Sequence, residues 1–162
     1  MESLTLDVAE LSPEQVAELL AFARSLALDG PALEERELDD ESWRDAELTG
    51  WELRHVELLR EHLASRGKVV QLGAFDLAIE QGGFVSRASV YRLGEYESSR
   101  RLNNWTAPFI VASDWLEDEH GLPSDTLYPV SAVYNEDISG YQRALGFEVL
   151  PEIVRLVRES TE

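Results

Sequence analysis

Residues 85–116 read VSRASVYRLGEYESSRRLNNWTAPFIVASDWL, and the organisation of the whole chain turns on how this stretch folds. Ser86 is a good helix N-cap, Val85 before it can pack on Val90 as a hydrophobic staple, and Gly94 follows Leu93 where a left-handed C-cap belongs. That predicts a short helix. Glu95 to Asn104 is rich in turn residues, after which Trp105, Phe109, Ala112, Trp115 and Leu116 recur at helical spacing as far as Gly121 and Pro123. A short helix, a turn and a longer helix with an aromatic inner face is the helix-turn-helix order.

On the C-terminal side, Tyr128, Val130, Ala132 and Tyr134 alternate with smaller or polar neighbours as in a strand, and 141–149 reads as a second strand. The loop from Asn135 to Gly140 makes the pair a β-hairpin, and Pro151 opens a last helix in which Ile153, Val154 and Val157 close over the core. On the N-terminal side, Thr49 and Glu52 form a capping-box pattern before the stripe Leu53, Val56, Leu59 and Leu63. A further helix carries Val70, Ala74, Leu77 and Ala78 and is stopped by Gly82 and Gly83, completing an αα-hairpin in which Gly73 is expected to permit close packing.

Farther out, Ser12, Pro13 and Gln15 are a second capping signature for a helix over 13–28, after a short strand through Leu4, Leu6 and Val8. Residues 29–47 hold nine acids, Arg36 and Arg44, with Leu33, Leu38 and Trp43 as sparse apolar anchors, the composition of an acidic linker. Asp39, Asp40 and Glu41 lack the alternating ligands and glycine turn of a hard-cation loop. The expectation is a mainly α chain with a small β-hairpin, winged helix-turn-helix-like and preceded by an N-terminal helix. It divides into 1–48, a strand, helix and acidic linker, and 49–162, a winged-helix-like domain.

The chain's 162 residues suit one domain with a real core, and 44% of them are hydrophobic. Its apolar runs are too short to span a bilayer, and no basic region follows Met1, so a membrane span and a secretory signal are not expected. Cysteine is absent, which excludes disulfides, thiolate metal sites and Cys nucleophiles together, and a cytoplasmic location is the default. No Gly-rich phosphate loop, Gly-x-Ser-x-Gly elbow or His-Glu-x-x-His pair occurs, and no cofactor or enzymatic activity is expected. His55 and His62 are seven residues apart, about 10 Å along a helix, too far for shared metal ligation, and His120 suits a helix C-terminus.

The formal net charge of −18 is unevenly distributed: −11 over 1–50, −1 over 51–83, +2 over 84–113 and −8 over 114–162. Such a chain repels polyanions at long range, except near the one cationic stretch. There Arg87, Arg92, Arg100 and Arg101 are candidates for phosphates, Ser98 and Ser99 for neutral phosphate contacts, and Asn103 or Asn104 for an adenine edge. Against this, Asp114, Glu117 and Asp118 would present the wrong sign to phosphate from the longer helix.

The run Val85, Ser86, Arg87, Tyr91, Leu93, Tyr96, Arg100, Leu102, Thr106 and Pro108, then Pro129, Val130, Tyr134, Gly146, Phe147, Pro151 and Glu152, resembles an uncharacterised actinobacterial domain family with a winged-helix-like pattern. The resemblance covers about residues 51–157. It implies a winged-helix-like fold with basic residues beside the Thr-x-Pro turn, where this chain has Ala107 and Val111. Two functions follow as expectations. One is a non-enzymatic regulatory protein that contacts duplex DNA weakly through residues 87–104, as a homodimer that doubles the cationic patch. The other is an acidic module on the same scaffold that binds a basic protein or acts as a nucleic-acid charge mimic.

Overall fold

A computed structural model describes residues 12–18 and 41–161. Residues 13–18 are helical, and the expected cap is there: the Gln15 backbone N–H donates to Ser12 Oγ at 3.2 Å and the Ser12 N–H donates to Gln15 Oε1 at 3.0 Å. The strand expected at Leu4–Val8, the remainder of the helix to residue 28 and the linker over 29–40 lie outside the described residues.

A 3-10 turn at Ser42–Asp45 places Trp43 in the core against the last helix. Helix α1 (Leu53–Ser65) and helix α2 (Val69–Glu80) form the αα-hairpin, joined by residues 66–68. The cap of α1 differs from the expectation. Glu52 is the N-cap, and its backbone N–H donates to His55 Nδ1 at 3.1 Å. Thr49 is instead taken up by Glu152, whose carboxylate accepts the Thr49 N–H at 2.8 Å and the Thr49 hydroxyl at 2.6 Å. The Glu152 carboxylate, itself buried, ties the segment that enters α1 to the last helix of the chain.

Strand β1 (Phe84–Ser86) runs directly into helix α3 (Arg87–Gly94), with Ser86 Oγ accepting the Ser89 N–H at 3.1 Å, the cap expected of it. The left-handed residue that ends α3 is Glu95, at φ 51°, and Gly94 is the last helical residue. Gly94 is needed for space: a Cβ there would run into the ring of Tyr96, which folds back as its N–H bonds the Tyr91 carbonyl at 2.9 Å. Gly73 meets no such demand, since a Cβ would touch only Leu93 at 3.8 Å, an ordinary contact.

Helix α4 (Ala107–Glu119) follows with Pro108 in its first turn, then strands β2 (Val130–Val133) and β3 (Gly146–Val149) and helix α5 (Pro151–Ser160). The strands form one antiparallel sheet in the order β1-β3-β2, with Val85 opposite Phe147 and Ala132 opposite Phe147 on the other side. The hairpin therefore supplies the central strand β3 and the edge strand β2 of a three-stranded sheet. Its two strands are shorter than expected, leaving 134–145 as the connection. β1 escaped the sequence because three residues, all buried, offer no alternation to detect. Gly146 sits where a Cβ would collide with the Val85 carbonyl, so the β1–β3 pairing demands glycine.

The core gathers Trp43, Trp51, Val56, Leu59, Phe75, Phe109, Leu116, Phe147 and Ile153 between the helices and the sheet. The chain is thus mainly helical with a small antiparallel sheet. Among the described residues, no helix is long and apolar enough to cross a membrane.

Candidate functional site

The four arginines of the cationic stretch have separate fates. Arg87 is only 4% exposed, its side chain donates to the Ala144 carbonyl at 2.9 Å, and its N–H donates to the Leu145 carbonyl at 2.9 Å. It fastens α3 to the β2–β3 connection and is not open to a phosphate. Arg92 is exposed and donates to Ser89 Oγ at 3.0 Å. The Arg100 guanidinium lies 3.9 Å from the centre of the Tyr96 ring, and Tyr91 donates its hydroxyl proton to the Arg100 carbonyl at 2.6 Å. Arg101 is exposed.

Ser98 and Ser99 are exposed at the turn, and the Ser98 carbonyl accepts from Arg143 of the β2–β3 connection at 2.8 Å. Asn103 and Asn104 are exposed, and Asn104 adopts φ 57°, the left-handed conformation that asparagine tolerates best after glycine. Residues 101–105 form a ridge between two clefts.

The first cleft, about 390 Å³, lies at the N-terminal end of α4. It brings Arg66 and Lys68 from the α1–α2 turn to face Arg100 and Arg101. The second, about 460 Å³, lies between the ridge and the β2–β3 connection and includes Arg101, Tyr134, Tyr141 and Arg143. Among the described residues, no carboxylate lines either one. Sequence reasoning missed Arg66, Lys68 and Arg143 because they are distant in the chain and sit in segments of negative net charge.

The outward side of α4 has the opposite character. Its 13 residues include no Lys or Arg, and Val111, Asp114, Asp118 and Glu119 are exposed. The β2–β3 connection adds exposed Tyr134, Ile138 and Tyr141, with Glu136 and Asp137 also exposed.

The histidines have structural partners. His55 is buried, accepting from Glu52 at Nδ1 and placing Nε2 3.1 Å from the His120 carbonyl, which makes Nε2 the donor. His62 and His120 flank the Trp115 ring, with centroids 4.7 and 4.4 Å away, and His120 is the C-cap residue of α4. Burial, and then the nearby Arg66 charge, hold the His62 pKa below its ordinary 6.5. No group of three or more metal-ligating side chains is assembled among the described residues.

Comparison of the chain with protein-family models, with curated proteins and with solved structures finds no match.

Proposed function

We propose that the chain is a non-enzymatic interaction module on a winged-helix-like scaffold, with the outward face of α4 as a docking surface for a basic protein segment. The scaffold reading is supported by the element order: helix, short strand, two helices across a turn, then two strands joined by a long connection, with sheet order β1-β3-β2. In that arrangement α4 occupies the place of a recognition helix and 134–145 the place of a wing.

The observation that carries the functional part is the absence of any cation along α4, beside exposed Asp114 and Asp118. A helix of that sign is repelled by a phosphate backbone and attracts Lys- and Arg-rich protein, and the net charge of −18 extends both effects to long range.

Fluorescence anisotropy with an Arg-rich peptide tests this on two variants of equal charge. Asp114→Asn/Asp118→Asn should weaken binding about tenfold, a loss of about 1.4 kcal/mol. Glu57→Gln/Glu61→Gln, on the exposed side of α1, should weaken it far less. Equal losses in the two variants would reduce the interaction to unspecific attraction by net charge and overturn the assignment of a surface.

A further inference from the structure

The cleft at the N-terminal end of α4 contradicts the charge of the rest of the molecule. Arg66, Lys68, Arg100 and Arg101 converge on it from two separate segments, and among the described residues none of the four is ion-paired with a carboxylate. In a chain with more than two acids for every base, exposed cations ordinarily find acidic neighbours. Four like charges around one concavity raise its potential, and low-dielectric walls focus that field on whatever enters.

The walls are not polar throughout. Leu63, Tyr96, Trp105 and Val111 line the same cleft, and its volume of about 390 Å³ falls in the range of small-molecule pockets, well above the needs of a bare inorganic anion. The first turn of α4 contributes no spare donors: Ala107 N–H bonds the Asn104 carbonyl at 3.1 Å, Phe109 N–H bonds the Thr106 carbonyl at 3.0 Å, and Pro108 has no N–H. Recognition must come from side chains. Trp105 is 6% exposed and stacked on Phe147, and its indole N–H is buried with no hydrogen-bond partner among the described residues.

We infer that this cleft is a binding site for a small phosphorylated organic molecule, whose phosphate is held by Arg66, Lys68, Arg100 and Arg101 and whose apolar body lies beside Leu102 and Val111. Arginine forks and a lysine point charge are the side chains suited to phosphate oxygens. A duplex is a poorer occupant, because the surface continuing from the cleft along α4 leads to Val111 and then Asp114 and Asp118. The site meets the α4 docking face at Val111, but its anion binding rests on Arg66, Lys68, Arg100 and Arg101 and stands or falls independently of that face.

Isothermal titration of the full chain with adenosine diphosphate, inorganic pyrophosphate, adenosine and a short DNA duplex tests the inference. Adenosine diphosphate should bind saturably with Kd below about 1 mM, pyrophosphate should compete with it, and adenosine should bind at least about tenfold more weakly. Arg66→Ala/Arg101→Ala should weaken diphosphate binding about tenfold or more with the ligand-free Tm unchanged, both side chains being exposed. Four results overturn it: no saturable binding of diphosphate or pyrophosphate, equal affinity for adenosine, binding that survives the double substitution, or saturable binding of the duplex alone.

Discussion

At its N-terminal end α4 opens beside Arg66, Lys68, Arg100 and Arg101, whereas over the following three turns its exposed residues are Val111, Asp114, Asp118 and Glu119. One helix thus borders two surfaces of opposite sign, which meet at Val111. A stretch of positive net charge in the sequence is therefore not a positive surface in the fold. Of the four arginines between 84 and 113, Arg87 is spent inside the molecule and Arg92 is tied to Ser89. The cationic cleft is completed by Arg66 and Lys68, which come from a segment of net charge −1.

The largest expected effect separates buried from exposed cations. Arg87→Ala should destabilise the fold by about 3 kcal/mol, because the Ala144 carbonyl loses a charge-assisted donor in a buried setting. That corresponds to roughly a 10 °C fall in Tm for a chain of this size. Arg101→Ala should stay within about 0.5 kcal/mol. Thermal melts of the two variants side by side decide this, and similar melting temperatures would place Arg87 with the surface arginines.

The acids divide in the same way. Glu152→Ala leaves the Thr49 N–H and hydroxyl without their acceptor and should cost about 2 kcal/mol in urea unfolding, while Asp118→Asn should be near neutral. A destabilised Asp118→Asn would give that carboxylate a structural job and remove it from the docking face.

The smallest effect concerns His62, which borders the cationic cleft. Burial and the Arg66 charge keep its folded pKa below 6.5, so below that pH the unfolded chain takes up the proton more readily than the folded one. Its contribution to stability is therefore lost as pH falls from 6.5 through the folded pKa, and is fully present above 6.5. His62→Gln should flatten the acid side of the stability profile by a small amount. Bound diphosphate should raise the His62 pKa in an NMR titration, and an unmoved His62 resonance would argue that the anion sits elsewhere.

Much of the fold was legible because the signals were local. The Ser86 cap and the Ser12–Gln15 box depend on neighbours within one turn and appear in the structure, and of the stripe Leu53, Val56, Leu59 and Leu63 the last three are buried. What was not legible was long-range. Thr49 has the sequence of a cap because nothing local reveals a carboxylate 103 residues away, and β1 leaves no trace because three consecutive buried residues carry no period. For the candidate sites, the exposed acids of α4 could be read from helical spacing, whereas the cleft required the α1–α2 turn to be carried over to the ridge at 101–105.

The proposal of an acidic docking helix meets its most direct test in a salt titration of duplex DNA binding by the full chain, beside Arg100→Ala/Arg101→Ala. The proposal predicts no saturable duplex binding even at low ionic strength, because α4 brings Asp114 and Asp118 where a reading head would meet phosphate. Saturable binding that weakens with salt along a logarithmic slope of a few units, and disappears in the double variant with folding intact, would contradict it and assign the 87–104 region to DNA.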